Sequence, residues 1–426
     1  MYSYIEINTI RTLMLDYTTK CNALCLRCAR NIDGKYLNKN MPIEDMPWEI
    51  FEKFFTETIN SLDRIDYCGN FGDPILHPDL IKGIRWLYAK EDYNKRQKIE
   101  AGRPNLIINI ATNGGINSPH WWKNLAQALN ASTANQYRTD AELLEKPLGT
   151  VTFGIDGLED TNDLYRRQVN WKRLMENVEA FIGAGGKAIW QFIIFEHNAH
   201  QLQAVEQLSK EMGFIDFFTI DNYHRTENDT GGSDTDTYLE RLKGKKEQES
   251  IRKLNWWENL TTTFNRPTEE VVDHLGLETK KYKKLEIKNE TEDNITNKES
   301  KLNKFETIIK TQYNNDLTLF EKTAPIKCSW HKKAKAGVLF MFNGEIWPCC
   351  YTGGQRYPKD YPWDHPEEGN DLYKKTHGTY GAQFNNINHH TFDEIVKHEW
   401  YAGKLVKSWT NDSRLELCGF MCTQFK

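Results

Sequence analysis

Residues 18–30 read TTKCNALCLRCAR and set three cysteines, Cys21, Cys25 and Cys28, in a CxxxCxxC spacing with no histidine nearby. A cubane iron–sulfur cluster has four irons, each needing one outside ligand, and proteins usually supply four thiolates. Three thiolates from one short loop leave one iron open. An open metal position marks a site that binds a small molecule, by the logic that separates catalytic from structural zinc. A single CxxC would also serve as a zinc half-site or a redox pair, and the third cysteine at this spacing weighs against both.

The loop follows a strand-like run, Thr12–Leu15, the first of six. The others are Ile65–Cys68, Leu106–Ala111, Val151–Ile155, Trp190–Phe195 and Phe217–Ile220. Helical periodicity fills the gaps: Phe51, Phe54, Phe55, Ile59 and Leu62 share one face, as do Leu174, Val178, Phe181 and Ile182 before a Gly185-Gly186 stop, and Leu202, Val205 and Leu208. Largely apolar strands alternating with helices predict an α/β fold with a parallel sheet. About six units suit a partial, open (β/α)6 barrel of the TIM type rather than a closed eight-unit one. The polar stretches 90–105 and 130–148 read as long loops.

Three domains are expected. Residues 1–222 carry the partial barrel. Residues 223–315, rich in Lys, Glu, Asn and Thr, read as a polar insertion or linker, partly helical. Within it, Pro267–Leu285 has the outline of a helix-turn-helix start, but a short amphipathic helix stopped at Gly276 is the preferred reading. Residues 316–426 bring back cysteines, aromatics and turn residues, as a small α+β domain in which a metal would substitute for a core.

The chain has 426 residues, 39% hydrophobic and 27% charged, with a formal net charge of −5, which gives no electrostatic footprint for nucleic acid or an anionic membrane. No run reaches the length of a membrane span and no signal-peptide pattern opens the chain, so a cytoplasmic protein is expected. Eight of its nine cysteines fall into groups (21/25/28, 328, 349/350 and 418/422), which in a reducing compartment points to metal rather than disulfides. Cys68 stands alone and reads as a buried, inert thiol.

The loop CNALCLRCAR resembles the signature of the radical S-adenosylmethionine (SAM) superfamily, in its CNxxCxxCxR variants. Many members place an aromatic residue before the third cysteine, where this chain has Arg27. The segment CGNFGDPILHPDL, residues 68–80, is similar to the family's GGEP motif, with Gly72, Asp73 and Pro74 at the GEP positions. The resemblance implies that Gly69, Asn70, Gly72 and Asp73 bind the amino end of the cofactor. Thr112-Asn113-Gly114 matches the family's TNG, which places Thr112 and Asn113 beside the cofactor. TFGIDGLEDTNDLYRR, residues 152–167, resembles SIDG…R, with Gly154 where serine is common. Asp156 and Arg166 are then cofactor-binding candidates, the arginine for the SAM carboxylate through a bidentate pair; an arginine that merely caps a surface helix is the competing reading. Asn198 and Asp221 are further polar residues at strand ends. All these features fall at the carboxyl ends of consecutive strands, where such barrels build their sites.

Cys328, fifteen residues, Gly344, four residues and Cys349, then Cys418 and Cys422, resemble the auxiliary-cluster half domain called Twitch, related to SPASM. Gly344-Glu345 reads as a hairpin turn that puts Cys349-Cys350 on the return strand. Neighbours on a strand point to opposite faces, so one of the two ligates and either fits. Cys328, Cys349, Cys418 and Cys422 would close one auxiliary 4Fe–4S cluster. The full SPASM form needs further cysteines, and Thr423–Lys426 holds none, so a single auxiliary cluster is expected. A structural four-cysteine zinc site is the alternative.

The resemblance implies an enzyme, an oxidoreductase or maturase. It would hold a 4Fe–4S cluster with SAM and an auxiliary 4Fe–4S cluster, cleave SAM to a 5′-deoxyadenosyl radical, and abstract hydrogen from a peptide or small metabolite. It also implies a one-electron donor such as a flavodoxin or ferredoxin. RNA modification, with the 240–310 region gripping RNA, and a non-catalytic scaffold with two structural cysteine sites are the alternatives.

Overall fold

The computed structural model describes residues 10–221 except 26, 27, 33, 101, 102 and 196. Beyond them it describes 311, 312, 314, 319, 320, 323–326, 328, 330, 336–354, 356, 357, 376–409, 415, 418 and 422. Nearly all of the 223–315 insertion, with its helix-turn-helix outline, and Arg27 lie outside the described residues.

Six parallel strands form the expected partial barrel: β1 (Ile10–Asp16), β4 (Arg64–Tyr67), β5 (Ile107–Thr112), β6 (Gly149–Gly154), β7 (Ala188–Ile194) and β8 (Asp216–Asp221), adjacent in chain order. A short hairpin, β2 (Asn31–Ile32) and β3 (Tyr36–Leu37), follows the cysteine loop. The sheet does not stop at the barrel. Strand β9 (Ala336–Met341) pairs parallel with β1, and β10 (Ile346–Trp347) pairs antiparallel with β9, so eight strands form one open sheet ending in β10 and β8.

Each barrel strand has one apolar face, and that face lies under helices. Tyr17 packs on Phe51 of α1 (Trp48–Thr58) at 5.4 Å between ring centres, and Phe54 stacks on Phe340 of β9 at 4.1 Å. Phe153 meets Trp122 of α3 (Pro119–Asn130) and Phe181 of α7 (Trp171–Gly183). Alternation then turns Thr12, Met14 and Asp16, Arg64 and Asp66, Asn109, Thr150 and Gln191 to the opposite, inner face. The strands were expected to be largely apolar; polar side chains from several of them share the inner face with Met14 and Ile189. Arg64 Nε donates to Asp66 at 2.8 Å, Asn109 Nδ2 to Asp66 Oδ1 at 2.8 Å, and Thr150 Oγ1 to Asn109 Oδ1 at 2.6 Å, a ladder across β4, β5 and β6.

Helices run further than periodicity suggested. The polar 90–100 stretch continues α2 (Leu80–Glu100), and 130–148 contains α4 (Thr133–Gln136) and α5 (Asp140–Glu145), the latter held by a capping box from Thr139 and Glu142. A short α6 (Asn162–Tyr165) precedes α7, whose N-terminus is capped by Asn170 Oδ1 accepting from Arg173 N at 2.9 Å, worth about 1 kcal/mol. Helix α8 (Leu202–Met212) ends on Gly213 in the left-handed region, φ 86°.

The C-terminal part was expected to lean on metal for want of a core, yet its described residues pack one. Trp347, Phe384, Phe392, Ile395, Trp400, Tyr401 and Leu405 are buried and continuous with the apolar core between the sheet and its helices. Phe392 and Ile395 come from α10 (Phe392–Lys397), and Leu405 opens α11 (Leu405–Ser408). The hairpin turn falls where expected, at Gly344 with φ 88°. The return strand ends at Trp347, so Cys349 follows it and Cys350 opens helix α9 (Cys350–Gly354); the two are not strand neighbours. Helix α9 lies on the inner face of β9, where Gly353 comes so close that a Cβ there would meet Leu339. Among the described residues no helix is long and apolar enough to cross a membrane.

Candidate functional site

The cysteine loop leaves β1 at its carboxyl end and is clamped from several sides. Arg30 is buried and threads back through the loop, its Nε donating to Thr19 O at 2.8 Å. Thr19 N donates to Glu44 O at 2.9 Å, and Leu24 N to Arg167 O at 3.0 Å. These bonds bring the three thiols close enough that Cys25 and Cys28 both raise the proton affinity of Cys21, and Cys28 that of Cys25. Burial first, then Asp73 and Cys25, push Cys21 far above the ordinary thiol range. Burial pushes Cys25 up to about 11, and Arg166 pulls it down in part. The Cys21 sulfur already accepts two N–H groups, from Ala23 N at 3.4 Å and Asn113 Nδ2 at 3.5 Å.

The loop after β4 lies directly against this one. Asp73 N donates to Lys20 O at 2.8 Å, and Gly72 approaches so closely that a Cβ would sit 2.1 Å from Thr18 O. The sequence suggested a glycine opened for a ligand; the structure uses it to seat one loop on the other. Asp73 is buried, and its Oδ2 accepts from Thr112 Oγ1 at 2.9 Å, Asn113 N at 2.8 Å and Asn113 Nδ2 at 2.7 Å. Burial still raises its proton affinity above the usual carboxylate value, against those bonds. Asp73 therefore ties the ends of β4 and β5 to Cys21. Asn70 N donates to Asp16 Oδ1 at 3.1 Å, and Gly69 is exposed.

From β6, Arg166 Nε donates to the fully buried Asp156 at 2.6 Å, and the guanidinium lies over Gly154, where a Cβ would meet Nη2 at 2.6 Å. Any larger residue at 154 would push the arginine away, which gives the glycine its reason. Burial opposes the charge on Arg166, and Asp156 and Cys25 overcome it, so the cation is held more firmly than a free arginine. It faces Cys25 and is not a surface cap. Asp156 Oδ1 also accepts from Ile193 N at 2.6 Å. Asn198 is a buried brace that donates to Asp156 O at 2.8 Å and to Ile193 O at 2.9 Å. Asp221 ends β8; its side chain lies outside the described residues.

The distant cysteines form a second group. Burial pushes the Cys349 thiol up, hydrogen bonds from Thr352 oppose it, and Cys328 adds to the rise. Cys422 is raised by hydrogen bonding with Cys328 first, with Cys418 and Cys349 adding. The order of effects on Cys350 is different: burial, Cys349, then Asp16, lifting it to about 12. Cys349 thus turns to the other cysteines and Cys350 towards the barrel. Among the described residues no three His, Cys, Asp or Glu side chains close to single-ion distance. Tyr357, just beyond α9, links this segment to the first site: its carbonyl accepts from Asn38 Nδ2 at 3.1 Å and its ring meets Phe71 edge-on at 5.4 Å.

Sequence reasoning missed two participants. Asp16, at the end of β1, is fully buried, and Cys68, paired beside it, is half-buried rather than enclosed. Cys68 Sγ donates to Asp16 Oδ1 at 3.7 Å. The one available signal was an acid closing the apolar run LMLD, residues 13–16, ahead of Cys21.

No family model and no curated protein matches the chain. Solved structures do align. anSMEcpe with bound AdoMet aligns over 49% of this chain and 51% of its own, at 16% identity and a TM-score of 0.37. Streptococcus suis SuiB bound to S-adenosylmethionine aligns over 80% and 61%, at 14% identity and 0.41. SuiB bound to precursor peptide SuiA aligns over 96% and 76%, at 12% identity and 0.43. The chain spans about half the length of the first of these.

Proposed function

We propose that this chain is a radical SAM enzyme whose 4Fe–4S cluster is held by Cys21, Cys25 and Cys28. The observation that carries the reading is the gathering of those three thiols with Asp73, Asn113 and Arg166 at the carboxyl ends of β1, β4, β5 and β6. The donor set fits: three buried or half-buried thiols from one loop, one of them already accepting N–H groups as a cluster thiolate does. When bound, the cluster supplies the electron that cleaves SAM to methionine and a 5′-deoxyadenosyl radical.

The chain's own groups bind and orient. Gly69 and Asn70 offer backbone at the rim for the cofactor's amino end, and Gly72 seats that loop. Asp73 holds Thr112 and Asn113 in place. Arg166, fixed at Nε by Asp156 and turned towards Cys25, offers its guanidinium to the cofactor carboxylate beside the cysteine loop. Cys328, Cys349, Cys418 and Cys422 would hold an auxiliary 4Fe–4S cluster, and α9, which follows Cys349, packs against β9. A peptide or small metabolite is the substrate, reached over the polar inner face, and a flavodoxin- or ferredoxin-type donor supplies electrons.

Anaerobic reconstitution followed by metal counts and a cofactor-cleavage assay tests this. Two cubane sites give about eight irons per chain and 5′-deoxyadenosine on reduction. Half the iron with added zinc moves the C-terminal site to a structural role. Cleavage that survives Cys25→Ala sinks the reading.

A further inference from the structure

Cys68 and Asp16 belong to neither cysteine set, and they occupy one level of the inner face. Leu15 pairs with Tyr67 between β1 and β4, so the next residues, Asp16 and Cys68, stand side by side at the rim, immediately before the loop Gly69–Asp73. Tyr67 points under the helices, which turns Cys68 inward. Cys68 is partly open, whereas Asp16 is fully buried behind it. Asp16 Oδ1 takes the Cys68 S–H at 3.7 Å and Asn70 N at 3.1 Å, while Oδ2, also buried, has no partner within hydrogen-bond geometry, although the Asn70 side chain and the Phe71 amide lie near the carboxylate. An acceptor oxygen left without a partner in a buried position is costly, so it marks a place where a proton or a further donor belongs.

We propose that Cys68 is a hydrogen-atom donor to carbon-centred radicals formed at the inner face, with Asp16 behind it as the positioning residue that returns its proton. The inference rests on the radical reading above. The S–H bond is weaker than most C–H bonds, so a thiol gives its hydrogen atom to an alkyl radical readily. The S–H bond breaks homolytically, a C–H bond forms, and a thiyl radical remains on Cys68. One electron from a flavodoxin- or ferredoxin-type donor, directly or by way of the auxiliary cluster, and one proton from Asp16 restore the thiol; solvent reprotonates Asp16. The chain then performs a net hydrogen-atom return, as in an inversion or a reduction of the substrate carbon, rather than only an oxidation.

The surroundings suit a thiol that stays protonated. Cys68 faces Asp16 from β1, Cys350 from α9, Asp66 on its own strand and the Asn70 amide. Burial first, then Asp16, Cys350 and Asp66, hold it well above the ordinary thiol range, and only the Asn70 N–H opposes them. Burial likewise lifts Asp16 to about 7, against bonds from Asn70 and Cys68, so near neutral pH it can both hold and release a proton.

The full chain, loaded with clusters and reduced in D2O with SAM and no other substrate, tests the donor directly. A radical quenched by an exchangeable thiol gives singly deuterated 5′-deoxyadenosine, read by mass spectrometry. Cys68→Ser, whose O–H bond is too strong to donate, is expected to drop the deuterium fraction to background while the iron content stays the same. Deuterium that persists in Cys68→Ser, or its absence from the native chain, overturns the inference and leaves the cofactor reading intact. Absence of 5′-deoxyadenosine overturns both. A second measurement needs no clusters: alkylation of Cys68 against pH, mapped by peptide mass. Asp16→Asn removes a charge that holds the thiol up, so the Cys68 profile is expected to shift to lower pH. An unmoved profile removes Asp16 from the proposal.

Discussion

Arg166 lies across Gly154: its Nε donates to Asp156 Oδ2 at 2.6 Å, and a Cβ at position 154 would meet Nη2 at 2.6 Å. The pair is a buried carboxylate and a guanidinium that is 15% exposed. Removing one partner strands the other's charge, which costs about 3–5 kcal/mol when the pair is buried. Asp156→Asn is therefore expected to lower the unfolding free energy by about 3 kcal/mol, the low end of that range because Arg166 keeps some water contact. Gly154→Ser should cost less, since the guanidinium is the far end of a flexible chain. Urea denaturation of the three chains decides it; an Asp156→Asn midpoint equal to that of the parent would remove the pair from the site's architecture.

A second prediction concerns the seating of the two loops. Alanine at position 72 would place its Cβ 2.1 Å from Thr18 O, a backbone atom that no rotamer change can move. Overpacking usually costs about 1–3 kcal/mol, and Gly72→Ala is expected near the top, about 3 kcal/mol. It should also reduce the iron retained by the Cys21 loop. Gly183→Ala is the control: nothing lies within 4 Å of its Cβ and it ends α7, so it should be neutral or gain about 0.5 kcal/mol.

The features that were legible in the sequence are the local ones. Cys21, Cys25 and Cys28, the Gly72-Asp73 turn and Thr112-Asn113 each sit within a few residues of a strand end, so spacing alone places them. The six barrel strands were found to within about two residues, because an apolar run between helical patterns has little else to become. What was not legible depends on pairing across the chain. The closure of β9 on β1 joins residues more than 300 apart in sequence; the run AGVLFM of β9 is apolar throughout, which marks a buried strand but does not name its partner. The shared inner position of Thr12, Asp66 and Asn109 was not legible because each is a lone polar residue within its own apolar run until register puts them on one side. Arg166 was read as a ligand for the cofactor carboxylate, and its turn towards Cys25 is a contact between loops that no spacing encodes.

Asp16 gives a prediction with a definite sign. Burial lifts its carboxyl to about 7, above the ordinary value near 3.9. Between those values the folded chain holds the proton more tightly than the unfolded chain. Its contribution is therefore fully present below about pH 4 and is lost as pH rises through about 7. The change is on the order of 4 kcal/mol, at about 1.4 kcal/mol for each pH unit between the two values. Asp16→Asn keeps an acceptor for Asn70 N and Cys68 but carries no charge. The variant should lose this downward slope and be the more stable chain above pH 7. Denaturation midpoints of the cluster-free chain, compared with the variant from about pH 4 to pH 8, test the sign; parallel curves would place the Asp16 proton affinity at its ordinary value.

The last prediction separates the adjacent cysteines. Cys349 is buried beside Cys328 and Cys422, while Cys350 opens α9 and turns to Asp16 and Cys68. Of the two, only Cys349 is placed to ligate with the distant thiols. A cubane that loses one of four thiolates is no longer closed, so Cys349→Ala should retain about four irons where the native chain retains about eight. Cys350→Ala should keep all of them, since the residue points to the barrel and replaces no ligand. If Cys350→Ala instead loses the C-terminal iron and Cys349→Ala does not, the ligand assignment inverts. Asp16 and Cys68 would then stand next to a cluster thiolate, and the inner face would have to be read as part of the auxiliary site.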